Sequence, residues 1–151
     1  MLVTFSAAAV ANAFLKLARD SGSELSNMQL QKLVYFAHGF ALAIFDKPLI
    51  YSDVQAWQYG PVYPKLYKKL RRYGSGRVTE LLESEDEIPT PSEFSEVIKG
   101  VWKAYGSMSA GQLSARTHAP ETPWSLSWAE GEYTKISDDR IKAHFKELLV
   151  A

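Results

Sequence analysis

The chain is 151 residues long, balances 17 Lys/Arg against 17 Asp/Glu and contains no cysteine. Those totals exclude a disulfide scaffold and a thiolate metal site, and an apolar share of 46% fits one soluble globular domain with a single core. The neutral sum hides an asymmetry: residues 1–80 hold ten Lys/Arg and five Asp/Glu, residues 81–151 seven and twelve. Opposed halves of this kind can face each other inside the fold, meet across a homodimer or face different partners.

Ser6 caps a first predicted helix to about Arg19, with Val10, Phe14 and Leu17 on one face, and Ser21-Gly22 ends it. The apolar start M-L-V-T-F-S-A-A-A-V lacks the basic residues of a secretory leader. Lys16 and Arg19 continue its helical period, so it reads as a docked helix of a cytoplasmic protein. Ser26 opens a second helix. Gln29 stands where a capping box requires it, and Leu25 with Leu30 can form the hydrophobic staple. Leu30, Leu33, Val34, Ala37, Phe40, Ala41, Ile44 and Phe45 follow i, i+3, i+4, i+7 spacing. Met28, Tyr35, Phe36 and Leu42 add apolar surface on other sides. A helix apolar all round belongs at the centre of a fold, and this run is too short to span a bilayer.

Asp46-Lys47-Pro48 stops that helix, 54–57 reads as a short strand, and Gly60-Pro61 is the predicted turn into a third helix over about 63–73. Gly74-Ser75-Gly76 ends it, and the acidic, proline-containing stretch 82–91 predicts an exposed loop. Thr90-Pro91-Ser92-Glu93 reads as cap, N1 proline and N3 glutamate of a fourth helix to about Tyr105. Ser109 with Gln112 opens a shorter helix ending near Thr117, and Thr122-Pro123-Trp124 another around Trp128. Residues 132–136 are a predicted strand pairing with 54–57. Ser137-Asp138-Asp139 caps a last helix whose buried stripe is Ile141, Phe145, Leu148 and Leu149. The class is mainly α (α+β). It is a single domain over 1–151, with about six helices around a central buried one and a small two- or three-stranded sheet.

Chemistry is hard to find in this chain. Its three histidines lie on different elements without an H-E-x-x-H pattern. His38 reads as a hydrogen-bonded core residue and His144 as a surface one. His118, just ahead of Pro120, Glu121, Pro123 and Trp124, reads first as a structural hydrogen bond, then as a partner contact, and last as a catalytic group with Glu121. There is no G-x-S-x-G elbow, S-x-x-K motif or phosphate loop, and Glu83, Glu85, Asp86 and Glu87 form a solvated charge run. No enzyme activity, metal or cofactor is expected.

Recognition has better support. Lys65, Lys68, Lys69, Arg71, Arg72 and Arg77 place six cations within thirteen residues, interleaved with Tyr67 and Tyr73. On a helix Lys65, Lys68, Lys69 and Arg72 share a face, which reads as a solvated surface, a dock for an acidic protein or a nucleic-acid contact, in that order. Trp57 and Tyr59 alternate along the predicted strand and so share a side: core if that side is buried, an interface anchor if it is exposed.

The ordered segments L-Q-K-L-V-Y-F-A-H-G-F-A-L at 30–42, W-Q-Y-G-P-V-Y-P-K-L-Y at 57–67, T-H-A-P-E-T-P-W at 117–124 and I-S-D-D-R-I at 136–141 resemble the Panacea domain of SocA-like antitoxins. The resemblance covers roughly residues 25–146, with Lys32, Tyr35, His38, Trp57, Gly60, Pro61, Tyr67, His118, Pro123 and Trp124 at its motif positions. It implies a mostly helical cytosolic protein of bacterial or prophage origin, encoded beside a protein toxin that it neutralises by direct binding. In some members the antitoxin acts as an adaptor that delivers the toxin to a protease. Many members add a DNA-binding segment, whereas this chain has only one helix's worth of residues before the domain and a few after it, which speaks against autoregulation by DNA binding. The expected partner is therefore a cognate toxin, with a protease as adaptor client and neither membrane nor nucleic acid. The expected partner-binding residues are Trp57, Tyr59, Lys65, Lys68, Lys69, Arg72, His118 and Trp124. The alternative is a nucleic-acid-binding regulator using the Lys65–Arg77 helix.

Overall fold

Side-chain capping sets where most of the helices start, the one that opens with Pro64 in its first turn being the exception. In the computed structural model, which describes residues 3–150, Ser6 Oγ accepts the Ala9 N–H at 3.0 Å and opens α1, Ala7–Asp20. The Ser26–Gln29 box closes in both directions, at 2.9 and 3.3 Å, and opens α2, Asn27–Phe45. Helix α3, Pro64–Leu70, runs on into a 3-10 turn at Arg71–Tyr73. Then follow α4, Glu93–Tyr105; α5, Ala110–His118; α6, Pro123–Glu130; and α7, Asp138–Val150. Among the described residues this makes seven α-helices, with α2 at the centre packed by α1, α4, α5 and α7. No helix among them is long and apolar enough to cross a membrane.

The sheet content takes the form of two separate antiparallel pairs. Strand β2, Gln55–Trp57, pairs with β3, Gly60–Val62, while β1, Leu25–Ser26, pairs with β4, Arg77–Val78. The turn of the first pair is Gln58-Tyr59, so Gly60-Pro61, expected as the turn, is instead the returning strand. Proline fits there because Pro61 faces Ala56, between the Trp57–Gly60 and Gln55–Val62 pairs, where the ladder needs no N–H from it. The expected strand at 132–136 follows β2 only in part. Tyr133 N–H donates to Ala56 O and Ala56 N–H to Thr134 O, both at 2.8 Å, and a single bridge joins Gln55 to Lys135. Tyr133 itself sits at φ 68°, which breaks the extended backbone.

Leu30, Leu33, Val34 and Ala37 of α2 are fully enclosed, and each large apolar side chain so buried stabilises by about 1.5–3 kcal/mol. His38 lies in the same core at 2% exposure. Its Nδ1 accepts the Ile50 N–H at 3.2 Å and its Nε2 faces Asp138 Oδ1 at 2.9 Å, tying α2 both to the following connection and to the start of α7. This is the hydrogen-bonded core role expected of it. His144 is half-buried rather than fully at the surface, its ring against the edge of Phe145.

Four further expectations change. Ile44 is exposed, because α4 stands away from the last turn of α2 and leaves an apolar groove lined by Phe40, Ile44, Val97 and Ala104. Leu148 and Leu149 are also exposed: Ile141 and Phe145 make the buried contact, and α7 continues past it into solvent. The cap of α4 is Ser92, not Thr90, and its box partner is Ser95. Finally, the acidic stretch is tied down. Asp86 accepts from the Ser6 N–H at 2.7 Å and from its hydroxyl at 2.6 Å, Asn12 and Leu82 exchange two hydrogen bonds at 2.7 and 2.8 Å, and Leu82 and Ile88 are buried.

Candidate functional site

The β2–β3 turn is held from behind through three consecutive carbonyls. Trp124 Nε1 donates to Trp57 O at 2.7 Å, His118 Nε2 lies 3.3 Å from Gln58 O, and Ser114 Oγ donates to Tyr59 O at 3.1 Å. His118 is fixed in turn by its Nδ1, 2.6 Å from the Ser114 carbonyl, and by its ring against Trp124, centroids 4.0 Å apart. Thr122 caps α6 through the Ser125 N–H and donates to Thr117 O at 2.8 Å, which aims Trp124 at the turn. The segment 117–124 is thus a clamp on the hairpin. Glu121 is exposed, and none of the cavities described is lined by it or by His118.

In front of the turn lies a cleft of about 550 Å³ between the start of α2, the hairpin, α3 and the 131–134 segment. Trp57 forms one wall. It is half-buried, with Tyr67 of α3 at 5.0 Å and Tyr133 edge-on at 5.5 Å, and its Nε1 donates to Gln55 Oε1 at 3.0 Å. Tyr59 stands on the rim, 61% exposed. The two aromatics therefore sit on an open face of the hairpin and outside the core.

At the floor is Lys32, 1% exposed. Burial pulls its amine down from 10.5 to about 8, with no carboxylate working against that shift. No hydrogen-bond or ion-pair partner for it is found among the described residues. Gly60, at φ 122°, presses directly onto this side chain. A Cβ there would stand 2.6 Å from Lys32 Cε, 2.9 Å from Nζ and 3.1 Å from Thr117 Oγ1. Neighbouring Gln31 is buried too, and its Oε1 accepts the Tyr63 N–H at 2.9 Å, fixing the exit of β3.

The cationic residues lie on the adjoining surface. Lys65, Lys68, Lys69 and Arg72 are all exposed, and α3 reaches the cleft through Tyr67. Arg72 is partly engaged, with Glu80 at 3.5 Å and the Tyr73 hydroxyl at 2.9 Å. The structure thus brings Trp57 and Tyr59 together beside the basic helix. It sets His118 and the largely buried Trp124 behind them as supports. The sequence reading held Lys32 and Tyr67 as motif positions but not as partner-binding residues, and it missed Tyr133. Lys32 had a signal: it is the one Lys, Arg, Asp or Glu between Ser26 and Phe45, inside a helix read as buried. Among the described residues no group of three or more His, Asp or Glu is placed to hold a metal.

Comparison with known proteins agrees with this architecture of ordered motifs. No solved structure matches the chain significantly. The chain is similar to Antitoxin SocA of Caulobacter vibrioides (strain NA1000 / CB15N), 34% identical over 155 residues that cover 93% of this chain and 82% of the relative. The model of the family described as "Antitoxin SocA-like, Panacea domain" matches residues 30–125, which hold most of α2, the clamped hairpin, the basic helix and the start of α6. On both counts the chain belongs to the SocA-like antitoxin family with a Panacea domain.

Proposed function

We propose that this protein is the antitoxin of a type II-like toxin–antitoxin pair and neutralises a cognate protein toxin by binding it directly. The supporting observation is the cleft itself: Trp57 and Tyr59 exposed on a turn with its carbonyls clamped, next to the exposed cations of α3. Rigid aromatics flanked by charge are the usual anchors of a protein interface. The relative's name points the same way.

Co-expression with the protein encoded beside it tests this. The expected result is restored growth and a co-purifying complex, with Tyr59→Ala weakening the complex about tenfold or more. No complex and no rescue would overturn the reading. A second reading, DNA binding through α3, is favoured by the absence of ion-pair partners for Lys65, Lys68 and Lys69 among the described residues. It predicts salt-dependent binding to the protein's own promoter that Lys68→Glu/Lys69→Glu/Arg72→Glu abolishes, and it ends if no binding occurs at low salt.

A further inference from the structure

We infer that the Lys32 amine, at the floor of the Trp57–Tyr67–Tyr133 cleft, is a receptor for one carboxylate of the partner polypeptide, inserted between those aromatic walls. This rests on the toxin-binding reading above. A cation taken out of water without a counter-charge is costly, and folded proteins pair such groups or let them neutralise. Lys32 is 1% exposed, and no counter-charge is found for it among the described residues. Glu132, on the rim of the same cleft, is exposed and forms no ion pair with it. Gly60 leaves room for the amine, since any side chain there would occupy its position.

The charge count selects a carboxylate. Among the described residues lining the cleft, Lys32 at the floor is the one cation and Glu132 on the rim the one carboxylate. A monoanion reaching the floor is therefore balanced by Lys32, while a phosphate dianion would remain under-neutralised and be repelled more strongly by Glu132. The shape selects a polypeptide as its source. Tyr59 and Tyr133 are exposed along the rim, and α3, the helix that carries the cations, borders the cleft through Tyr67, so a small free acid at the floor would leave this surface uncovered. The depressed amine pKa adds support, because a lysine lacking a counter-ion regains proton affinity when a carboxylate arrives.

The test uses the purified complex of this protein with the toxin encoded beside it. A carbodiimide, which joins amines to carboxylates in direct contact, is expected to link Lys32 to an Asp, Glu or terminal carboxylate of the toxin, mapped by peptide mass spectrometry. Lys32→Met, with an unbranched side chain of similar reach, is expected to keep the melting temperature at or above wild type and to weaken toxin binding by about 30-fold or more. Binding by Lys32→Met equal to wild type, or a complex in which Lys32 never couples, overturns the proposal while the toxin-binding reading stands. Failure of the wild-type protein to bind the toxin overturns both. Coupling of Lys32 to added benzoate in the free protein, but to no toxin carboxylate in the complex, assigns the cleft to a small acid and also overturns it. Should Lys32→Met fail to fold, the cross-link on wild-type protein still decides.

Discussion

The ring of Phe145 fills the space where a side chain on residue 39 would begin, so Gly39 is what allows α7 to lie directly against α2. Gly39→Ala sets two effects against each other. Alanine favours a helix over glycine by about 1 kcal/mol, whereas forcing an extra group into a packed core typically costs about 1–3 kcal/mol. The clash is with a fully buried ring, so the second effect wins. The expected outcome is a net loss of up to about 2 kcal/mol in urea unfolding, and an unchanged midpoint would show that α7 can move aside.

Lys32→Met is expected to stabilise the free protein. The folded chain binds the Lys32 proton less tightly than the unfolded chain, about 8 against 10.5. Below pH 8 both states are charged and the whole penalty applies, on the order of 3 kcal/mol at most. It is relieved as pH rises from about 8 to 10.5, where the unfolded chain still carries the proton. Wild-type stability should therefore gain a rising contribution across that window that Lys32→Met lacks. Parallel wild-type and variant curves between pH 7 and 10.5 would refute this.

Tyr63→Phe should be neutral or stabilising, by up to about 1 kcal/mol. Tyr63 is 1% exposed, and its hydroxyl, closed off from solvent, has no hydrogen-bond partner among the described residues. Burial pushes that hydroxyl's pKa well up, with Tyr35 and Asp138 adding to the effect. Thermal melts decide it, and a drop of several degrees would reveal a hydrogen bond to this oxygen.

Asp138→Asn should flatten the acid limb of stability. The hydrogen bond from His38 holds the Asp138 carboxyl below its ordinary 3.8, against partial desolvation. A depressed carboxylate contributes stability above its unfolded pKa and loses it as pH falls through the folded value. Wild type should thus lose stability below about pH 4 more steeply than Asp138→Asn, while at pH 7 the variant is about 1 kcal/mol less stable. Identical acid limbs would count against the His38–Asp138 bond as the cause.

Leu33→Asp should abolish folding. Leu33 is fully buried one position after Lys32, so the same helix carries a charge at one residue and forbids it at the next. The difference is the cleft: Lys32 lines it and Leu33 does not. A cooperative melt for Leu33→Asp at pH 7 would show that the core around α2 can rearrange.

Much of this could be read along the chain because it depends on neighbours in sequence. The Ser26–Gln29 and Ser109–Gln112 boxes mark their helices within three residues, and the apolar load of α2 places it centrally. The hairpin was misplaced because Gly60-Pro61 has turn composition, while the actual turn, Gln58-Tyr59, owes its position to tertiary clamping by Ser114, His118 and Trp124. Nothing local reports that Asp86 would bind Ser6 eighty residues away, so an acidic, polar stretch looked free. The basic face and the two hairpin aromatics were legible as residue types. Their floor was legible only as a lone lysine in an apolar helix, whose place beneath the hairpin aromatics depends on β3 closing over it.

The three carbonyl contacts behind Trp57, Gln58 and Tyr59 also bear on how tightly anything could be held in front of them. A loop that must order itself on docking subtracts that lost freedom from the affinity, about 0.5–1.5 kcal/mol for each mobile side chain immobilised. Here the backbone of the turn is fastened from the rear before any visitor arrives, and Trp57 is already packed between Tyr67 and Tyr133. Loosening the rear fastening at His118 should therefore weaken any association in front of the turn while the aromatic walls of the cleft stay in place, so the T-H-A-P-E-T-P-W segment can set affinity from the far side of the hairpin.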